Sequence, residues 1–210
     1  MNQASLNLTA ITIFMGVVVA IVLPLWGVDP TFPAGAAFIV LAIASWDSWQ
    51  WGGQGGTILL DWLAGPKHRQ RVLHHEAGHF LVAHLLGIPV SSYSIGAWEA
   101  WRAGLSGAGG VVFGPVTAPE PDQLCTVWMA GIAAEQYLYG QAEGGADDRL
   151  KISDYLKALG YSEAQIQPRQ NQALQRAGRL IATHSDRYQK LVAAMAQRLP
   201  VADCVAILAG

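Results

Sequence analysis

The sequence predicts a mainly α-helical protein in which two N-terminal transmembrane helices precede a mostly helical domain with a small β-hairpin. The chain is 52% hydrophobic and only 13% charged, whereas a typical soluble domain is roughly 25% charged. Two long apolar runs follow each other at the N-terminus, and the C-terminal half has the apolar spacing of helices. These observations indicate a membrane-anchored domain.

The two apolar runs predict a transmembrane hairpin with spans at residues 6–26 and 33–51. The first run is almost wholly apolar, and as a helix it rises ~31 Å, which matches a bilayer core. Trp46, Trp49 and Trp51 end the second run, as expected at a membrane interface. A cleavable signal peptide would need a basic N-terminal region, and the first run is preceded by no lysine or arginine.

Charges near the spans predict the orientation of the anchor. Lys67, Arg69 and Arg71 lie within ~20 residues of the second span, and the turn at 27–33 has no basic residue. The positive-inside rule therefore places both termini and the C-terminal domain on the cytoplasmic side. The net charge of −2 and the lack of a basic cluster exclude a nucleic-acid partner.

A linker is predicted between the anchor (1–51) and the C-terminal domain (67–210). Residues 52–66 begin with the flexible joint "GGQGG" and continue as "TILLDWLAG", which is typical of a short interfacial helix. Cys125 and Cys204 are too few for a disulfide framework, so we expect them to be buried thiols.

The first helix of this domain, "RVLHHEAGHFLVAHLLG", carries the pattern H-E-x-x-H at His75, Glu76 and His79. Residues four apart lie on one helix face, so both imidazoles can reach one metal ion. Zinc suits such ligands, and a zinc-bound water has its pKa lowered to about 7. Glu76 can then take its proton as general base during attack on a carbonyl. His74 and His84 fall outside the pattern and are predicted to be ordinary residues.

The opposite face of the same helix predicts how it packs. Leu73, Ala77, Leu81 and Leu85 form an i, i+4 stripe that should face the core. Gly78 costs about 1 kcal/mol relative to alanine in a helix, so we expect another segment to approach it closely.

A catalytic zinc site needs a third protein ligand, and the candidates lie downstream. Acidic residues cluster in "MAGIAAEQYLYGQAEGGADDRLKISDYL", where Glu135, Glu143, Asp147 and Asp148 are each able to supply an oxygen. The residues alone leave the choice among these four open.

These segments together resemble the zinc-peptidase domain of FtsH-type proteases. "HEAGHFLVAHLLG", "MAGIAAEQYLYG" and the acidic, glycine-rich turn before a helix resemble that family's HEAGHALVA, LAGRxAEE and TGASND motifs, over roughly residues 67–180. The resemblance implies Asp148 as the third zinc ligand, with Asp147 as the alternative. It also implies that Glu135 holds a ligand histidine in its tautomer, or alternatively binds zinc itself.

The chain departs from FtsH-type proteases because nothing in it matches the ATP-binding pattern G-x-x-x-x-G-K-S/T. It resembles the stand-alone FtsH-like membrane proteins of cyanobacteria and plastids, in which patterns similar to "YSIGAWEAW" and "YGQAEGGADD" recur. The resemblance implies a zinc metalloendopeptidase in the plasma or thylakoid membrane, with its domain on the cytoplasmic or stromal side. Its partners would be polypeptide substrates, the lipid bilayer, and either FtsH-type ATPase complexes or further copies of itself.

The glycine-rich segment after the metal helix predicts one or two strands. "GGVVF", 109–113, is the candidate edge strand that would pair with an extended substrate, as the family resemblance implies; an ordinary hairpin is the alternative. From Asp122 onwards the pattern is helical, with one helix through "DQLCTVWMAGIAAEQYLY", another at 148–159 and a long helical segment from Ser162.

Two rival functions fit parts of the sequence. "HEAGHFLVAHLLGIPVSSYSIG" also resembles the metal helix of site-2-type intramembrane proteases, although the later N-x-x-P motif of that family is absent. A non-catalytic FtsH-like docking or assembly protein is the other alternative. The expected activity is cleavage of unfolded or membrane-proximal polypeptides without an ATPase of its own.

Overall fold

The computed structural model describes residues 3–105, 108–116 and 120–209, with ten α-helices and one two-stranded sheet among them. This confirms the prediction of a mainly helical chain with a small sheet. The chain divides into two compact units, 1–64 and 65–210.

The first unit is built from α1 (Gln3–Leu25), α2 (Thr31–Gln50) and the beginning of α3 (Gln54–Leu85). Helices α1 and α2 pack against each other, and a Cβ atom added to Gly16 would lie 3.7 Å from Ala37 Cβ. Most of their large apolar side chains are exposed.

One helix of the described residues, α2, is long and apolar enough to cross a membrane. It coincides closely with the predicted span 33–51. The predicted span 6–26 lies in α1, whose apolar stretch Ala10–Leu25 is shorter. A second crossing, and with it a transmembrane hairpin, therefore stays a prediction.

Helix α3 is interrupted at Gly65, whose φ of 76° and ψ of −172° are not helical. Glycine adopts this positive φ without steric cost, and Pro66 follows it as the first residue of the next helical stretch. The chain is helical from Gln54 to this break, so most of the predicted linker is ordered. The Asp47 carboxylate accepts hydrogen bonds from the backbone N–H groups of Gly55 (2.8 Å) and the following residue (3.0 Å).

Among the described residues, the second unit contains the part of α3 that follows the break at Gly65, the sheet and seven further helices. Its elements after α3 are β1 (Val90–Ser94), α4 (Ala97–Arg102), β2 (Gly110–Phe113), α5 (Pro121–Trp128), α6 (Ala130–Tyr139), α7 (Ala146–Ala158), α8 (Glu163–Thr183), α9 (Ser185–Ala196) and α10 (Val201–Ala209).

The sheet pairs β1 with β2 in antiparallel register, with Tyr93 opposite Val111. The predicted strand at 109–113 is confirmed as a strand, and it begins at Gly110. The two strands are not joined by a tight turn, because the short helix α4 lies between them. A register irregularity between Val90 and Ser92 lies at one end of β1.

The core forms around the second half of α3, and its largest cluster joins α3 to α5, α6, α8, α9 and α10. Ala77 and Leu81, from the predicted core-facing stripe, are fully buried, and Leu73 and Leu85 pack at the margin of the cluster. Fully buried side chains of this cluster are Ala77, Phe80, Leu81, Val82, Ala83, Val127, Ala130, Ala134, Ala177, Ile181, Leu191, Met195, Cys204 and Leu208.

The predicted single helix over residues 122–139 is wrong, because the chain forms two helices that meet at Met129. The break lets α5 and α6 each pack against α8. Helix α6 passes so close to α3 that a Cβ atom on Gly78 would lie 2.5 Å from Ala130 O and 2.7 Å from Ala134 Cβ. The close approach predicted at Gly78 is therefore confirmed.

Candidate metal centre

Helix α3 presents His75 and His79 one turn apart toward the first turn of α7. His79 and Glu76 are buried, with 6% and 7% of their surface exposed, in the part of α3 that the core surrounds. The ring centroids of the two histidines are 4.8 Å apart. The i, i+4 spacing thus brings two imidazoles together on a rigid, tightly packed helix.

The third group is Asp148, in the first turn of α7. It is 7% exposed, whereas its neighbour Asp147 is exposed to solvent. Gly145, which precedes α7, has a φ of 92°, and a Cβ atom there would collide with Ile132. This glycine lets the chain enter α7 tightly against α6, and the register of α7 then directs Asp148 inward.

Three ligand atoms converge between these two helices. Asp148 Oδ2 lies 3.1 Å from His75 Nε2 and 3.5 Å from His79 Nε2, and the three atoms all lie within 4.8 Å of one another. Two imidazole nitrogens and one carboxylate oxygen are the donor set of many catalytic zinc sites. The group is therefore able to bind a metal ion.

The other nitrogen of each histidine is held by a separate partner. His79 Nδ1 lies 2.7 Å from Val127 O, which only accepts, so Nδ1 carries the proton and donates it. His75 Nδ1 lies 2.8 Å from Glu135 Oε1 and donates to that carboxylate. Both interactions leave Nε2 directed at Asp148, and such outer partners fix the orientation and tautomer of metal ligands.

Glu135 is 2% exposed and its two oxygens have separate roles. One accepts from His75, and the other accepts from the backbone N–H of Glu143 at 2.9 Å and from Arg71 at 3.1 Å. Glu135 therefore contacts His75 at Nδ1, whereas the other ring nitrogen of His75 faces Asp148. Glu143, one of the four sequence candidates, contributes its backbone here, and its side chain is exposed.

Space for the imidazoles is provided by a missing side chain on α6. A Cβ atom at Gly131 would collide with His75 Nε2. Gly144, in the turn before α7, would bring a Cβ atom to 2.9 Å from Glu135 Oε1. The sequence pattern does not indicate a role for either glycine, because the need for each arises from packing between segments that are distant in sequence.

The metal-free site is strongly charged. Burial lowers the pKa of His75, but its hydrogen bonds to Asp148 and Glu135 outweigh that effect and raise the pKa to about 10. Burial raises the pKa of Asp148, but the charge of His79 and the hydrogen bond from His75 hold it well below its usual range. Glu135 likewise has its pKa lowered to about 2, because its partners outweigh the effect of burial.

Glu76 lies beside the ligands without being one of the three. Burial raises the pKa of its carboxyl above the usual range, although the nearby charges of His79 and His75 oppose the shift. A Cβ atom at Gly109, just before β2, would lie 3.0 Å from Glu76 Oε1. The carboxylate therefore lies beside the backbone of Gly109, immediately before the strand.

The remaining histidines next to the motif have other partners or surroundings. His74 Nδ1 lies 2.9 Å from Tyr188 Oη, and burial lowers the pKa of His74. His84 lies five residues after His79, near the end of α3, and is outside the metal group. Cys125 and Cys204 are buried free thiols, as predicted.

The chemistry of the three donor residues and their packing are both suited to a zinc ion. Two imidazole nitrogens and a carboxylate oxygen converge, each imidazole has a partner for its second nitrogen, and a glycine makes room beside His75. Among the described residues this is the group able to hold a metal.

We expect metal binding to release a proton from His75. A metal ligand must be a neutral imidazole, and the raised pKa of His75 means that the metal-free protein carries this proton at neutral pH. Zinc affinity should therefore rise as pH rises, by about tenfold per unit between roughly pH 6 and 8. Calorimetric titration with zinc in buffers of different ionisation enthalpy measures the released protons. Binding that is independent of both buffer and pH would contradict a charged His75.

No family model and no curated protein matches this chain. The resemblance to FtsH-like peptidases therefore carries over only as a proposal.

Proposed function

We propose that the protein is a membrane-anchored zinc metalloendopeptidase that resembles the FtsH-like peptidases and acts on unfolded or membrane-proximal polypeptides. The single observation that carries the proposal is the convergence of His75, His79 and Asp148 beside the buried carboxylate of Glu76. This combination is that of an H-E-x-x-H hydrolase, in which the glutamate is a base and not a ligand.

The ligand residues would hold zinc through His75 Nε2, His79 Nε2 and an oxygen of Asp148. When bound, zinc would polarise a carbonyl and lower the pKa of a bound water to about 7. Glu135 and Val127 keep the two imidazoles in the tautomer that donates from Nδ1. These contacts pre-organise the site before any substrate arrives.

Glu76 would accept the proton of the attacking water and pass it to the leaving amine. A base works best when its pKa lies near the working pH, and burial moves the pKa of Glu76 upward from the usual carboxyl range. The surrounding core also excludes bulk water from this carboxylate.

Strand β2 offers a way to place an extended substrate. Its neighbour in the sheet is β1, and Gly109 at its start stands next to Glu76. A peptide that adds to β2 as a further strand would have its backbone held by main-chain hydrogen bonds, which favour unfolded segments over folded ones. We therefore propose extended, unfolded polypeptide as the substrate class.

The test is cleavage of an unfolded protein such as casein by the full-length wild type and by Glu76→Gln at equal zinc content. Turnover by the wild type alone supports the peptidase. Absence of cleavage by both proteins, with zinc bound, would favour the alternative function of a non-catalytic docking or assembly protein.

We further propose that α1 and α2 form a transmembrane hairpin with both termini on the cytoplasmic or stromal side. The apolar character of α2 and the basic residues Lys67, Arg69 and Arg71 support this orientation. A reporter fused after Gly210 should be active in the cytoplasm, and one inserted at Asp29 should be active on the far side. The reversed pattern would contradict the orientation.

A further inference from the structure

We propose that Arg71 is a positioning residue of the metal centre: its guanidinium fixes the Glu135 carboxylate, which in turn fixes the His75 imidazole. The inference rests on the metal centre of the proposed function and not on peptidase activity. Arg71 precedes His75 by four residues on α3, so the two side chains lie on one face of the helix, one turn apart.

The contacts form a continuous chain from Arg71 to the ligand. Arg71 Nη1 donates to Glu135 Oε2 at 3.1 Å, and Glu135 Oε1 accepts from His75 Nδ1 at 2.8 Å. With each oxygen engaged by a different partner, the carboxylate has little freedom to rotate. The direction of the His75 imidazole therefore depends on the residue that holds the far oxygen.

Arg71 is itself firmly held. Its Nη2 lies 3.0 Å from Glu143 Oε1, its Nη1 lies 3.4 Å from Gln141 O, and its guanidinium stacks 4.3 Å above the Tyr139 ring. The side chain is only 20% exposed. A group with three acceptors and a ring contact is ordered, in contrast to an arginine on an open surface.

The same guanidinium joins the two halves of the metal centre. Gln141 and Glu143 belong to the turn between α6 and α7, and this turn leads directly to Asp148. Arg71 thus links the helix that carries both histidines to the segment that places the carboxylate ligand. A lysine in its place has a compact ammonium group, which cannot match this planar fork of donors.

The experiment measures metal affinity in the full-length protein by competition with a chromophoric chelator, and ligand geometry from the visible absorption of the cobalt-loaded protein. Arg71→Met should weaken zinc binding by about tenfold, the lower end of the effect of outer partners of metal ligands, and should alter the cobalt spectrum. Arg71→Lys should recover only part of the loss. The matched control is Arg69→Met, an exposed arginine two residues earlier, which should keep wild-type affinity.

A double-mutant cycle tests whether Arg71 acts through Glu135. Glu135→Gln should itself weaken zinc binding, and adding Arg71→Met to it should cost much less than Arg71→Met costs alone. If the losses of zinc affinity in the two single variants add fully in the double variant, the proposal that Arg71 acts through Glu135 is overturned. Wild-type zinc affinity and an unchanged cobalt spectrum in Arg71→Met, or in Arg71→Lys if the methionine variant does not fold, would overturn the positioning role.

Failure of the Arg71 inference can be distinguished from failure of the peptidase proposal. A wild type that binds zinc, responds to Arg71→Met and cleaves nothing would contradict the peptidase alone. Cleavage by the wild type together with unchanged zinc binding by the Arg71 variants would contradict this inference alone. A wild type that binds no metal would contradict both.

Discussion

Glu76→Gln is expected to reduce the cleavage of unfolded substrate by about 10²–10⁴-fold, the usual contribution of a positioned general base. Glutamine has nearly the same size as glutamate, so the buried position on α3 should accept it. The three ligand atoms belong to other residues, so zinc content should stay at the wild-type level. Only the acceptance of a proton is removed.

The measurement compares cleavage rates at matched zinc content, with the helical signal in circular dichroism as the check of folding. Glu120→Gln is the matched control, because the same chemical change there falls on an exposed residue that is not part of the metal group. Equal rates for wild type and Glu76→Gln would refute Glu76 as the base. A Glu76→Gln protein that loses its zinc would instead indicate that Glu76 is a ligand.

Loss of a ligand should abolish stoichiometric zinc binding. We expect wild type to hold about one zinc per chain, and His79→Ala and Asp148→Asn to lose it during dialysis, because two remaining protein ligands do not close a zinc site. Asp147→Asn should keep its zinc, since Asp147 is exposed while Asp148 Oδ2 lies within 3.5 Å of both imidazoles.

Metal analysis by atomic absorption checks this result, and the Asp147 variant is the matched control for the Asp148 variant. Zinc retained by Asp148→Asn and lost by Asp147→Asn would mean that α7 is rotated by one residue relative to the described structure. Full zinc in His79→Ala would exclude the H-E-x-x-H segment as the site.

The part of the site on α3 was predictable, because its residues lie close together in the sequence. The spacing of His75 and His79 brings their side chains to one helix face in any α-helix, and the core-facing stripe through Ala77 and Leu81 follows from the same period. The small sheet was predictable from β-branched residues between glycines, at "GGVVF". The break at Met129 was not, since each of its flanking segments is helical by pattern and only their packing against α8 separates them.

The spacing of His75, Glu76 and His79 along the chain is enough to bring two imidazoles and a carboxylate onto one helix, and four acidic residues follow further along the chain. Which of those four meets the histidines depends on how the helices pack. Consecutive helix residues point about 100° apart, so whether Asp147 or Asp148 faces inward depends on how α7 packs against α6. The roles of Arg71 and the Val127 carbonyl also depend on tertiary structure. Their contacts join segments that are distant in sequence, and no local sequence pattern encodes such contacts.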